Sequence, residues 1–229
     1  MAEPTIIRGS DHFFTTTYEG NGLGRKVGNF VPFTDNGTIA KSCMFDDGDT
    51  PTLSRTIGTA SSTTTFTVSC WVKRGVSGVL RGIWSREGAN DNNELRLYFD
   101  SSDRLNWSYY PNGDTAKLTT NRTFEDKSKW YHIVAVSDTT NSTEASRWRL
   151  YVDGTEVSDY ATATYPSQST SIALFSSGSY SEYIGRARSV STTSFDGYIA
   201  EFNVVDGTAL TPSTFGLTDT STGRWIPKT

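Results

Sequence analysis
The chain has 229 residues, 35% hydrophobic and 13% aromatic, with 21 basic against 25 acidic side chains and a net charge of −4. That length and apolar content suffice for one main domain around a single core. The charge is mild and scattered, which excludes a basic stripe for a phosphate backbone, so no nucleic acid is expected as a partner. No apolar run approaches the ~18 residues of a membrane span, so no membrane insertion is expected.

The opening "MAEPTIIRGSDHFF" carries an acid at Glu3 and lacks the apolar stretch of a secretory signal. Through "YEGNGLGRKVGNFVPFTDNGTIA" the text is glycine-rich and settles into neither a period of 2 nor one of 3.6, so residues 1–41 read as an irregular N-terminal arm. "GNGLGR" lacks the Lys-Ser/Thr of a phosphate-binding loop and the strand-to-helix setting such a loop needs. An arm of this kind cannot build its own core. Its Phe13, Phe14, Phe30 and Phe33 can instead anchor on a neighbouring subunit, or the arm can add a strand to it.

From Ser42 the text changes to short alternating runs separated by Gly, Asn, Asp and Ser clusters, and about a quarter of the chain is Ser or Thr. Candidate strands are "SCMFDD", "TTFTVSCWVKRG", "LRGIWSR", "ELRLYFD", "RLNWSYY", "KWYHIVAVSD", "RWRLYVDG", "TEVSDY", "SIALFSS", "YSEYIGRA" and "FDGYIAEFNVVDG". In the second, Phe66, Val68, Cys70 and Val72 share one face; in "RWRLYVDG", Trp148, Leu150 and Val152 do, and Asp153-Gly154 supplies a type I′ turn into "TEVSD". One apolar face per strand predicts an all-β, antiparallel two-sheet sandwich over 42–216, followed by a C-terminal tail, 217–229. "KWYHIVAV" is apolar on both faces, which predicts a central strand whose outer side is covered by the arm, by a loop or by another chain. Cys43 and Cys70 both fall in candidate strands. Two buried free thiols are expected, while spacing leaves their pairing open.

Several words, taken in order, carry a resemblance: "FTVSCWVKRG", "KWYHIVAVSDT", "RLYVDGTEV", "YIGRARS" and "FDGYIAEFNVVDGTALTPSTFG". Together they resemble the laminin-G-like branch of the concanavalin A-like jelly rolls, which implies a jelly-roll sandwich that binds rather than cuts. The flanking "TYEGNGLGRKVGNFVPFTDNGTIAKSCMFDDGDTPTLSRT" and "VDGTALTPSTFGLTDTSTGRWIPK" are similar to segments of bacteriophage virion structural proteins, those of marine phages in particular. That similarity implies a tail, fibre or capsid-surface component, assembled in the host cytoplasm, with other virion proteins as partners and a homo-oligomeric state such as a trimer or ring.

The chemistry-bearing residues fit adhesion better than catalysis. A retaining glycosidase of this fold would need two carboxyls about 5 Å apart, set by alternate acids on one strand. Glu201 stands alone in "GYIAEF" and Asp196 precedes Gly197 at a turn, so neither is expected to be catalytic. His132, inside an apolar strand, reads as a structural imidazole. No G-x-S-x-G, H-E-x-x-H or C-x-x-C occurs. "FDDGDT" clusters Asp46, Asp47 and Asp49, hard oxygen ligands of the kind Ca²⁺ takes, though acidic turns also form for their backbone hydrogen bonds alone. For a host-surface glycan the candidate is "NWSYYPNGD", with Trp107, Tyr109, Tyr110 and Asp114; core packing of Trp107 and Tyr109 competes with that role. The expected function is that of a non-enzymatic virion protein. A carbohydrate-binding module recognising surface glycans is the alternative, and a glycan-degrading enzyme comes third.

Overall fold
The computed structural model describes Ile39 and residues 41–87, 93–111, 116–172, 180–187 and 191–228. All of these lie in one compact unit, Gly37–Thr229. Phe13, Phe14, Phe30 and Phe33 of the arm, Asp114 and most of "SIALFSS" lie outside the described residues.

Alternation produces the expected strands. In chain order they are β1 (Cys43–Phe45), β2 (Leu53–Thr56), β3 (Thr65–Arg74), β4 (Arg81–Glu87), β5 (Asn93–Phe99), β6 (Arg104–Pro111), β7 (Ala116–Thr123) and β8 (Tyr131–Asp138). They continue with β9 (Trp148–Val152), β10 (Thr155–Glu156), β11 (Tyr160–Thr164), β12 (Ser181–Ile184), β13 (Gly197–Asp206), β14 (Gly216–Thr218) and β15 (Trp225–Pro227). Helical structure among the described residues is confined to single 3₁₀ turns such as Glu144–Ser146. None is long and apolar enough to cross a membrane.

The strands form a six-stranded sheet, β1-β13-β3-β8-β9-β10, packed on a seven-stranded sheet, β11-β7-β6-β5-β4-β12-β2, every neighbour antiparallel. This is the two-layer sandwich the alternation requires. Strand β7, "AKLTTNRT", was not among the candidate strands because only Ala116 and Leu118 are apolar in it; both point inward, and Thr119 bonds to Asn106 across the ladder at 2.6 Å. The run "TEVSDY" divides, its start forming β10 and Tyr160 opening β11.

The inner faces meet around Trp107. Its ring lies 5.9 Å from Trp84, 5.0 Å from Trp148 and 6.1 Å from Phe66, so one indole bridges both sheets. The turn Asp153-Gly154 has φ of 51° and 82°, the two left-handed residues of a type I′ hairpin. One end of the sandwich is tied by a buried ion pair. Arg74, over the Phe99 ring at 4.4 Å, donates to Asp103 Oδ1 and to the Phe124 carbonyl, both at 2.6 Å.

The outer face of β8 is covered by the chain's own C-terminal segment. Val134, Val136 and Tyr151 pack under Ala209 and Phe215, and β14–β15 form a hairpin that brings Trp225 over His132. Residues 217–228 are therefore layered on the six-stranded sheet. Neither cysteine is bonded to the other: Cys70 is in the core and Cys43, expected to be buried, is exposed on edge strand β1. Cys43 shares its face of β1 with the buried Phe45, but it opens a three-residue strand at the edge of its sheet, and burial there is confined to the Phe45 end.

Candidate functional site
The residues expected to meet a glycan separate. Trp107 and Tyr109 alternate inward on β6 and are core residues, so their rings are spent on packing. Tyr110 takes the other face and is half-buried. The neighbouring outward positions of the seven-stranded sheet, Ser85, Glu87, Glu94, Arg96, Asn106 and Ser108, are polar. Several have almost no exposure, with Glu87 at 6% and Glu94 at 2%. Burial of this degree removes that side of the sheet as an open platform for a ligand.

Glu87 and Glu94 are nonetheless notable, because they face one another directly across β4 and β5. Alternate acids along one strand would mark such a pair in the sequence, whereas a pair made between strands leaves no local pattern. Glu94 is ion-paired with Arg96 at 3.1 Å, and Glu87 accepts from the Ser85 hydroxyl at 2.9 Å.

The acidic turn after β1 gathers differently from its sequence pattern. Asp46 and Asp47 are joined by Asp196, from the segment before β13, with ligand oxygens all within 4.8 Å of one another. Asp49 is outside this group; its N–H caps the Asp46 carbonyl at 3.1 Å. Asp196 is fixed by its carbonyl, which accepts from Gly75 N–H at 2.8 Å, and a Cβ at Gly75 would fall 1.6 Å from Asp196 Oδ1. Burial, then the hydrogen bond and charge of Asp47, push the Asp196 carboxyl above its ordinary range, while Arg81 pulls the other way. Arg81 is ion-paired with Asp47 and also donates to the Thr192 carbonyl at 3.1 Å. Asp46, Asp47 and Asp196 together present the hard oxygen ligands that would hold a calcium ion at this point.

His132 is structural, as its apolar strand suggested. Its backbone N–H donates to Asp153 Oδ1 at 3.0 Å, and its ring stacks on Trp71 with centroids 4.8 Å apart. Trp225 Nε1 donates to Nδ1 at 2.9 Å, so the ring proton sits on Nε2 and goes to the Ser69 hydroxyl 3.0 Å away. Burial lowers its pKa to about 4, with the Asp153 charge opposing.

A fourth feature had no signal in the sequence. On one side of the sandwich both sheets end in short strands, β1 on β13 and β2 on β12, and the layers do not close there. Between them is a hollow of about 420 Å³, whose walls include Leu53, Ser54, Arg55, Glu182, Phe202 and Asn203.

Residues 46–214 match the family described as the Concanavalin A-like lectin/glucanases superfamily. The chain belongs to this superfamily. Among solved structures, this lectin-like sandwich is similar to domains LG4-5 of the mouse laminin α1 chain, at 19% identity over 77% of this chain and 44% of that one, with a TM-score of 0.54. Domain 4 of the arabinanase AbnA from Geobacillus stearothermophilus, solved with arabinotriose, shares 18% identity over 77% and 75%, with a TM-score of 0.52. The heptameric SAP-like pentraxin of Limulus polyphemus shares 18% over 78% and 76%, at 0.50. At these identities the likeness is one of fold. No curated protein matches the chain.

Proposed function
We propose that this lectin-like sandwich is a non-enzymatic binding module that recognises surface glycans and is carried as a structural component of a bacteriophage particle. Membership of the lectin/glucanase superfamily over residues 46–214 is the observation that carries the binding half. The domain of AbnA was solved with an arabinotriose, which supports the same ligand class for this frame. The particle context rests on the words flanking the sandwich, "TYEGNGLGRKVGNF" and "STGRWIPK". Calcium at Asp46, Asp47 and Asp196 would tie the β1 turn to the start of β13 and so brace the rim.

Hydrolysis is the second reading, favoured by the cross-strand pair Glu87 and Glu94. Against it, Arg96 and Ser85 hold the pair and near-complete burial keeps substrate away. Incubating the full chain with an array of bacterial surface polysaccharides separates the two. Retention without new reducing ends is expected. Reducing ends that disappear in Glu87→Gln or Glu94→Gln would make the protein an enzyme.

A further inference from the structure
Resting on the glycan-binding reading, we infer that the ligand site is the hollow at the open edge of the sandwich, and that it takes a neutral saccharide unit. The hollow of about 420 Å³ is not isolated. It shares Leu53, Ile184 and Phe202 with an adjoining hollow of about 350 Å³, and Arg55 and Val204 with one of about 190 Å³. The three form one cleft along the open edge.

A register shift shapes the wall. Between Ala200 and Asn203 strand β13 slips against β3, with Glu201 held at φ 45°, a conformation that side-chain-bearing residues adopt at a cost. The slip leaves Phe202 half-buried on the cleft wall, opposite Leu53, which is 51% exposed. Apolar surface left open in a concave place is surface that a ligand's C–H face can cover, at roughly 25 cal/mol per Å².

The polar groups are already oriented. Glu182 is buried and accepts from Trp84 Nε1 at 3.0 Å, from Arg86 Nε at 2.9 Å and from Arg55 Nε. Arg55 is thus anchored by its Nε, although its side chain is 64% exposed. Anchoring reduces the rotamer entropy its terminal nitrogens would otherwise lose on meeting a ligand. Asn203 gives one N–H to the Glu201 carbonyl at 2.8 Å, which fixes the amide with its oxygen free to accept. A hydroxylated ring needs this combination of donors, an acceptor and an apolar wall.

Charge selects the class. Along the whole cleft Lys41, Arg55 and Arg86 are matched by Glu182, Glu201 and Asp206, which leaves no surplus to attract a uronic acid, a sulfate or a phosphate.

Calorimetric titration of the full chain with neutral trisaccharides of arabinose, xylose, glucose and galactose, and with trigalacturonate, tests the inference. At least one neutral trisaccharide should bind. Asn203→Ala and the milder core-edge change Phe202→Leu should each weaken it about tenfold, the loss of one hydrogen bond or of part of a stacking face. Tyr110→Ala should leave it unchanged, and thermal melts should show every variant folded. A neutral trisaccharide bound equally well by both cleft variants, or a preference for trigalacturonate, overturns the site while leaving glycan binding intact. A full chain that binds no saccharide on this panel or on the polysaccharide array overturns the glycan reading itself.

Discussion

At His132 the decisive fact is that both ring nitrogens are committed. Trp225 can only donate, so Nδ1 must stay bare, and a second ring proton would set N–H against N–H inside a stack of two indoles. The consequence for stability has a definite sign. The folded-state pKa is lowered from 6.5 to about 4, so the unfolded chain takes up the proton first as the solution is acidified. Stability from this residue is complete above about pH 6.5, falls as pH drops toward 4, and falls no further below that. The full span is about 3 kcal/mol at 1.36 kcal/mol per pH unit. Urea denaturation between pH 7 and 4 should show the slope for the native chain and a flatter line for His132→Gln. Equal slopes would mean that the imidazole is not the group titrating.

Elements show why single side chains take the roles they do. Strand β8 is apolar on both faces because each has a cover, the core on one side and the C-terminal segment on the other. That segment is held by Trp225, whose ring lies so close to Gly154 that a Cβ there would come within 2.6 Å of it. Ending the chain at Phe215 should uncover the His132 ring and strip its Nδ1 of the Trp225 donor, lower the melting midpoint by several degrees and raise the fluorescence of a hydrophobic dye. An unchanged midpoint would show that the hairpin contributes nothing to the sheet beneath it. The β1 turn and the segment before β13 make a second such pairing, through Asp46, Asp47 and Asp196. Millimolar Ca²⁺ should raise the melting midpoint of the native chain, with the gain abolished in Asp196→Asn, and Mg²⁺ should be the weaker ion because it demands a tighter octahedron. A melt indifferent to Ca²⁺ would leave the cluster as a rim salt bridge organised by Arg81.

Over the whole molecule, the division of labour is between a frame and its open edge. The largest side chains of the core are consumed in joining the two sheets, with Trp84, Trp107 and Trp148 fully buried. What the frame leaves exposed lies partly on the unclosed side, where Met44 is 61% and Leu53 51% exposed on the two terminal strands. The particle reading assigns fastening to residues 1–38 and recognition to the sandwich. Deleting 1–38 should then leave a folded sandwich with glycan binding retained and entry into particles lost, measured by gel analysis of purified virions. Truncated protein present in virions at the native level would remove the arm from that role.

The layered β architecture was legible from the chain alone because a period of two in hydrophobicity has one physical outcome, a face that must be buried against another. Phe66, Val68, Cys70 and Val72 declared their side of β3 in this way, and the Asp153-Gly154 turn declared its hairpin by its need for positive φ. The candidate sites were less legible. Asp196 joins Asp46 and Asp47 across 150 positions of sequence, Glu87 meets Glu94 across a ladder, and the cleft is made by β2, β12 and β13 together. Local pattern reports which way a side chain points. Which other side chain it meets depends on strand order and register, and those are settled only when the two sheets close on a common core.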